Sequence, residues 1–165
     1  PITITSCDSK LIYDNEKYIS LLNDKDTDII VWGIRNYPEA MKQPKMFGWL
    51  KMNGSKVDKV FVKEKLKFKN YPIILGTFTF KKMKYFIKSS CSLKKRQGKV
   101  NKEYYVDSCL NDAIQMGLKC RLFEVESYVS WGTPNELKTF EYWQSCFNKW
   151  RGHEYKISND YDFYN

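Results

Sequence analysis

The chain has 165 residues and a mass of 19.7 kDa, which is the size of a single domain. Hydrophobic residues make up 42% and aromatic residues 16%, so the composition excludes an intrinsically disordered chain. No apolar run approaches the roughly 18 residues of a membrane span, and 28 basic against 19 acidic residues give a net charge of +9.

The positive charge predicts a surface that attracts phosphate groups, on nucleotides, sugar phosphates, nucleic acid or anionic lipid. A merely solvated, lysine-rich surface explains the same composition. Five widely spaced cysteines without a CxxC motif, and His153 as the one histidine, argue against a zinc site and against a disulfide framework. Since the chain also opens without a signal peptide, a reducing cytoplasm is the expected location.

The first third of the chain alternates short apolar runs with polar turns. A β-branched run at residues 2–5 predicts a strand, and residues 18–22 predict a helix. The continuous apolar run 29–32 is typical of a strand that is buried on both faces. A loop containing Pro38 and Pro44 is expected to follow.

Residues 47–62 carry the strongest local signal, because Asn53-Gly54 separates two alternating runs and so predicts a β-hairpin. A further strand is predicted at residues 73–80. The helix expected after it has an apolar stripe formed by Met83, Phe86, Ile87 and Cys91.

A second amphipathic helix is predicted from the helical spacing of Val106, Cys109, Leu110, Ala113 and Ile114, and Gly117 is expected to close it. A strand at 120–125 follows. Thr133, Pro134 and Glu136 form a capping-box pattern that predicts the start of a last helix. The alternation of strands and helices predicts an α/β fold with a mixed sheet at residues 1–150, followed by a polar tail at 151–165.

Asp8 is the first candidate for chemistry, because ligands of open α/β sheets gather where strands end and a carboxylate there can hold Mg²⁺. A turn or cap is the structural alternative. Glu64 and Lys65 follow the hairpin and could bind a hydroxyl and a phosphate, or form one more exposed charged pair. Gly48 and Gly76 lie within predicted strands, where glycine indicates either close approach of a ligand or a bulge.

Glu103 and Asp107 are four residues apart at a predicted helix start and are expected to share a face. They could meet a sugar or a cation, but acidic residues that complement the helix dipole explain them equally simply. No role in catalysis is predicted for His153, because no nucleophile accompanies it.

The order of these pieces resembles the sugar-phosphate nucleotidyltransferase superfamily, the NDP-sugar pyrophosphorylases. The resemblance rests on TSCDS, on MFGWLKMNG, on VKEK leading to ILGTFTF, and on EYYVDSCLNDAIQMGLKCRLFEV followed by SYVSWGTPNEL. It spans Pro1 to about Tyr155. The combination of WGTP with the ending EYWQSCFNKW is its most specific part.

The resemblance implies a Rossmann-like fold of the glycosyltransferase-A type. It also implies a reaction of an NTP with a sugar 1-phosphate that gives an NDP-sugar and pyrophosphate, with a nucleotide and a sugar phosphate as partners and Mg²⁺ as cofactor. By this likeness Asp8 is the catalytic, metal-binding residue. Gly48, Glu64, Lys65 and Gly76 are the substrate-binding residues.

The sequence departs from the family pattern in three places. The Gly-rich loop with an Arg and a Lys that opens the family's domain has no counterpart, so the chain resembles the C-terminal two-thirds of that domain. The second metal carboxylate is replaced by Ser130, and the proline after the Glu-Lys pair is replaced by Leu66. The chain is therefore expected to be inactive without that loop.

Three other functions stay open. The replacement by Ser130 favours a non-catalytic sugar-phosphate-binding or scaffold module derived from such an enzyme. A nucleic-acid-binding domain would use the basic residues 81–102, but these do not interleave with a stacking sheet, so nucleic acid is an unexpected partner. A glycosyltransferase would place a second acid within two residues of Asp8, where Lys10 stands. With no span, no membrane partner is expected.

Overall fold

The computed structural model of the chain describes residues 1–64 and 70–149. It contains eight strands: β1 (Ile2–Ile4), β2 (Ser9–Ile12), β3 (Ile29–Ile34), β4 (Gly48–Asn53), β5 (Lys56–Val62), β6 (Ile73–Phe80), β7 (Cys120–Glu124) and β8 (Ser127–Ser130). Its five α-helices are α1 (Asn15–Asn23), α2 (Pro38–Lys42), α3 (Met83–Lys95), α4 (Val106–Gln115) and α5 (Pro134–Asn148), and a 3₁₀ turn covers Pro44–Met46.

The chain divides into two compact units. Of the described residues, the larger unit contains residues 1–6, 12–64 and 70–127, and the smaller unit contains residues 7–11 and 128–149. The predicted domain boundary at residue 150 stays a prediction, because residues 150–165 lie outside the described part.

The larger unit is built on a six-stranded mixed sheet in the order β1-β6-β3-β7-β5-β4. Strands β3 and β7 are parallel, whereas β6 runs antiparallel to both β1 and β3. The hairpin β4–β5 joins the sheet through one antiparallel pair with β6, Trp49 with Ile73, and one with β7. The predicted α/β fold with a mixed sheet and an inserted hairpin is confirmed.

The centre of the core is β3, whose residues Ile29, Ile30 and Val31 are fully buried. Helices α3 and α4 pack against each other and against β6, and α4 also contacts β5 and β7. Leu93, Cys109, Leu110 and Ala113 enter the core cluster from these helices. This confirms the predicted strand at 29–32 and the predicted helix around Cys109.

Helix α4 ends as predicted at a glycine. The Gly117 N–H donates to Ile114 O and the Leu118 N–H to Ala113 O, so the last carbonyls of the helix are satisfied. Gly117 has φ +78°, which a residue with a Cβ rarely adopts.

The smaller unit contains the β2–β8 ribbon and α5. Thr133 caps α5 as predicted: its side chain accepts from the Glu136 N–H, and the Glu136 carboxylate accepts from the Thr133 N–H. No helix within the described ranges combines the length and apolarity that crossing a bilayer needs.

Three sequence predictions are wrong. The expected proline loop contains α2 instead, because Pro38 suits the first position of a helix. The stripe predicted for α3 is largely solvent-facing: of its four residues only Phe86 packs against the core, and Leu93 and Ser89 are buried instead. Finally, Glu103 and Asp107 do not share a helix face, since α4 begins only at Val106.

Candidate functional site

Asp8 is exposed and lies in the smaller unit, directly before β2. Its backbone carbonyl accepts a hydrogen bond from the Trp131 N–H at 2.9 Å. This contact holds Asp8 next to the turn between β8 and α5. The aspartate that the resemblance places at the metal therefore faces the WGTP segment within its own unit.

Gly132 provides the space for the Asp8 side chain. A Cβ at position 132 would lie 2.8 Å from Asp8 Oδ2 and 3.7 Å from Ser130 Oγ. The Asp8 carboxylate and the Ser130 hydroxyl therefore both lie next to the position that a side chain at residue 132 would occupy. Because Gly132 has no side chain, both oxygen atoms can approach the backbone of this turn.

A second carboxylate, that of Glu136, reaches the same turn. Glu136 Oε2 accepts from the Thr133 N–H at 2.9 Å and from Ser130 Oγ at 3.4 Å. Ser130, which the resemblance aligns with a metal-binding carboxylate, is thus hydrogen-bonded to a glutamate six residues further along the chain. Since this glutamate already caps α5, its oxygen atoms are only partly available to a cation.

Tyr128 lies in the same surroundings. Burial raises the pKa of its phenol, and the charges of Asp8 and Glu136 raise that pKa further, while a hydrogen bond with Ser130 lowers it. The unit therefore groups two carboxylates and two hydroxyls around one turn. The described part of the chain holds no group of three or more His, Cys, Asp or Glu residues that could bind a metal.

In the larger unit, Gly48 is buried at the start of β4 and lies against Asp107. A Cβ on Gly48 would collide with Asp107 Oδ2 and would lie 3.1 Å from Ile74 Cδ1. The glycine is therefore required by its protein neighbours. Whether a sugar also approaches it stays a prediction.

Asp107 lies in the first turn of α4, and its carboxylate lies against Gly48. Burial raises its pKa to about 6, although the positive charge of Lys63 acts in the opposite direction. Lys63 Nζ donates to the Met46 carbonyl at 2.9 Å and lies 5.7 Å from the centre of the Tyr105 ring. A carboxyl group that can exchange a proton near neutral pH thus lies beside the predicted sugar-binding glycine.

Gly76 occupies a bulge in β6. Val31 pairs with Phe78 and Gly33 with Ile74, so β6 has two more residues than β3 between these pairs. Gly76 has φ +65°, and its missing Cβ would touch Ser6 at 3.4 Å. The bulge explains the glycine by itself, and its role in substrate binding stays a prediction.

Glu64 is exposed and follows Lys63, which has a left-handed backbone with φ 56°. Lys65 lies outside the described residues. The predicted Glu-Lys pair is therefore only half described, and its contact with a substrate stays a prediction.

The structure groups the predicted residues differently from the sequence. Gly48 and Gly76 belong to the larger unit together with Glu64, whereas Asp8 belongs to the smaller one. Sequence reasoning did not single out Gly132, which lies inside the quoted WGTP motif, and it assigned Glu136 to capping alone. Asp107 was noticed, but only a three-dimensional contact reveals that it lies against Gly48.

Comparison with known proteins gives structural neighbours only. No protein-family model and no curated protein sequence matches the chain. A nucleoside-diphosphate-sugar pyrophosphorylase from Vibrio cholerae RC9 aligns over 84% of this chain and 55% of its own, with 16% identity and a TM-score of 0.62.

Two further solved structures agree. The inositol-1-phosphate CTP transferase from T. maritima aligns over 85% of this chain and 52% of its own, with 16% identity and a TM-score of 0.55. A protein described as a glucose-1-phosphate thymidylyltransferase from Bacillus anthracis, in complex with a sucrose, aligns over 93% and 56%, with 15% identity and a TM-score of 0.58. The chain thus spans little more than half the length of these proteins, and it shares with them the mixed α/β fold of nucleotidyltransferases.

Proposed function

We propose that the chain is a nucleotidyltransferase-type domain that acts on a sugar 1-phosphate and an NTP. The observation that carries this proposal is the fold shared with three solved proteins, two named as transferases of nucleotidyl groups and one as an NDP-sugar pyrophosphorylase, over 84–93% of the chain. The motifs that resemble the family run through the same region and support it.

In the proposed reaction an oxygen of the sugar 1-phosphate attacks the α-phosphorus of the NTP. A new P–O bond forms, the bond from the α-phosphorus to the bridging oxygen of the β-phosphate breaks, and pyrophosphate leaves. The protein needs to supply position and charge rather than a covalent intermediate.

Asp8 is the residue proposed to hold Mg²⁺. Its carboxylate is exposed, and Ser130 Oγ borders the same point next to Gly132. This donor set suits an ion that takes most of its ligands from phosphate oxygens and water, as Mg²⁺ commonly does. When bound, Mg²⁺ would neutralise the negative charge that develops on the phosphates.

The sugar phosphate is proposed to bind in the larger unit. Gly48 and Gly76 would allow the sugar to approach the backbone, Glu64 would accept hydrogen bonds from its hydroxyls, and Lys65 would pair with its phosphate. Glu64 is exposed directly after the hairpin, which fits contact with a ligand from solvent.

The chain alone is proposed to bind a sugar phosphate weakly and to catalyse no turnover. In the family pattern a Gly-rich loop with Arg and Lys grips the triphosphate, and the 165 residues contain no such loop. The proposed location of the protein is the cytoplasm, in keeping with its five free cysteines.

A titration of the chain with glucose 1-phosphate, followed by isothermal calorimetry and by NMR, tests substrate binding. We expect weak saturable binding that Glu64→Gln reduces several-fold. Glu126→Gln is the matched control, because Glu126 is also exposed and lies in the same unit. Equal binding by the two variants would remove Glu64 from the site, and no binding at all would contradict the proposal. Pyrophosphate release by the chain from an NTP and a sugar 1-phosphate would refute the proposed inactivity.

A non-catalytic module with the same fold is the second candidate. It is favoured by Ser130 in the position of the second carboxylate and by the use of Glu136 as a helix cap. The two candidates differ in the effect of Mg²⁺ on NTP binding. In a chain extended upstream of Pro1, a metal-dependent NTP affinity that Asp8→Asn abolishes and Asp58→Asn leaves unchanged supports the transferase, and NTP binding that is absent or independent of Mg²⁺ supports the module.

A further inference from the structure

One segment of the chain contains basic but no acidic residues. Residues 81–102 hold nine basic side chains and consist of α3 with the residues that flank it, all within the larger unit. Residues 42–69 also contain nine basic residues, but Asp58 and Glu64 lie among them. Residues 81–102 are therefore the basic segment in which no acidic residue offsets the positive charge.

Helix α3 has two distinct faces. Phe86, Ser89 and Leu93 face the protein, where Ser89 and Leu93 are buried. On the outer face, Met83, Ile87 and Cys91 follow each other at intervals of four residues and form an apolar stripe. Met83 is 50% exposed and Ile87 is 51% exposed. These three residues belong to the apolar stripe that the sequence pattern predicts for this helix.

Lysines border this stripe. Lys84, Lys88 and Lys95 occupy the adjacent line of the helix, and Lys94 follows Cys91 by three residues at the end of the apolar stripe. All four are exposed. A helix with an exposed apolar stripe and lysines alongside it is typical of helices that lie in the interface of an anionic bilayer.

Little within the protein neutralises these charges. Among residues 1–64 and 70–149, Arg96 is the one basic side chain of the segment that pairs with a carboxylate, the buried Asp112, at 2.7 Å. Lys81 donates to the Asp24 carbonyl. Seven exposed lysines remain: Lys82, Lys84, Lys88, Lys94, Lys95, Lys99 and Lys102.

We propose that the outer face of α3 docks on an anionic lipid surface. The lysines would lie at the level of the lipid phosphates, and Met83 and Ile87 would enter the boundary between headgroups and acyl chains. The contact is interfacial and needs no membrane-spanning helix. It does not depend on the proposed enzymatic function.

Nucleic acid is the less favoured polyanion. Its phosphates would attract the same lysines, but Met83 and Ile87 offer neither stacking surfaces nor hydrogen bonds to bases, and binding would leave their apolar surface unexplained. A lipid interface uses both the charge and the apolar stripe.

Co-sedimentation of the 165-residue chain with vesicles of phosphatidylcholine and phosphatidylglycerol in a 7:3 ratio (~0.3 anionic fraction) tests the proposal. We expect binding at low salt, loss of binding in about 1 M salt and none to pure phosphatidylcholine. Lys84→Gln/Lys88→Gln should weaken the partition about 30-fold, as expected for two lysines near an anionic surface. Lys25→Gln/Lys45→Gln is the control with the same loss of charge at exposed positions elsewhere.

The apolar stripe is tested with Ile87→Asn against Ile19→Asn, since Ile19 is 42% exposed on α1. Ile87→Asn should weaken binding to vesicles several-fold, and Ile19→Asn should not change it. Circular dichroism of each variant verifies its fold. No binding to anionic vesicles by the unmodified chain, equal binding by the α3 variants and their controls, or binding to oligonucleotides without binding to vesicles would overturn the proposal.

Discussion

Each unit contains a contact between a glycine and an aspartate, and the two contacts differ in how deeply they are buried. In the larger unit Gly48 lies against Asp107, and in the smaller unit Gly132 lies against Asp8. Gly48 is buried and the carboxyl group of Asp107 has a raised pKa, whereas Asp8 is exposed. The first contact is fixed by close packing. The second leaves its carboxylate accessible to water and to an incoming cation.

A glycine next to a carboxylate is therefore not sufficient evidence for a ligand-binding site. Ile74 also closes the space around Gly48, so the protein alone accounts for that glycine. Around Gly132 the neighbouring oxygen atoms belong to Asp8 and Ser130, which makes this turn the better candidate for binding a metal. Substitutions in the two units test this difference.

Gly48→Ala should have the largest effect. The new Cβ would collide with Asp107 in a packed environment, and we expect the free energy of unfolding to fall by about 2 to 3 kcal/mol. Urea denaturation measures this change. The double variant Gly48→Ala/Asp107→Ala should be more stable than the free-energy changes of the two single variants predict when added, because the truncated Asp107 no longer clashes with the new Cβ. If the two free-energy changes add exactly, Gly48 and Asp107 are not in direct contact.

Asp107→Asn should stabilise the protein at pH 7 by about 1 to 2 kcal/mol. Burial raises the pKa of Asp107 to about 6 from an unfolded value of 3.8. Between these two pH values the folded protein keeps a proton on Asp107 that the unfolded chain has lost. The stability that this proton contributes is complete below the unfolded pKa and is lost as the pH rises through about 6.

The measurement is the free energy of unfolding from pH 4 to pH 7 for both proteins. The decline between pH 4 and 6 should be smaller in Asp107→Asn. Asp58→Asn, at a position that is exposed and paired with Lys51, should keep the decline of the unmodified chain. Parallel curves for Asp107→Asn and the unmodified chain would show that Asp107 is not a buried acid.

Thr133→Ala should cost about 1 kcal/mol, the usual contribution of a helix cap. Its hydroxyl accepts a hydrogen bond from the Glu136 N–H at 3.2 Å, and removal of the hydroxyl would leave this N–H without its acceptor. Thermal unfolding followed at 222 nm measures the loss, and Thr133→Ser should restore most of it. An unchanged melting temperature would indicate that the cap contributes nothing to the smaller unit.

Gly132→Ala should have the smallest effect on stability, below about 0.5 kcal/mol. A Cβ there would approach Asp8 Oδ2 at 2.8 Å, but Asp8 is exposed and its side chain can rotate into water. Urea denaturation beside Gly48→Ala gives the direct comparison. A loss as large as that of Gly48→Ala would mean that Asp8 is held as rigidly as Asp107.

Local sequence signals predicted most of the elements. The Asn53-Gly54 turn, the apolar run at β3 and the capping box at Thr133 each depend on neighbours close in the chain, and all three are confirmed. The short ribbon strands β2 and β8 were missed, because strands of four residues carry too little periodicity to be recognised.

The α3 helix shows why tertiary structure decides the rest. Its sequence offers two partly apolar lines, one through Met83 and Ile87 and one through Phe86 and Leu93, and helical periodicity alone does not rank them. Packing against α4 and β6 selects the second line and leaves the first exposed beside lysines. A one-dimensional pattern gives the period of a helix but not its rotation about its axis.

The amino-acid sequence alone predicts the basic segment at residues 81–102, the main strands and helices, and the motifs that resemble nucleotidyltransferases. The folded chain is needed to show that Asp107 lies against Gly48, that Gly76 occupies a bulge and that Ser130 donates a hydrogen bond to Glu136. The physical reason is that turn residues, helix caps and hydrophobic periodicity depend on neighbours in the chain, whereas burial, pKa shifts, strand pairing and steric contacts depend on how separate segments come together in the fold.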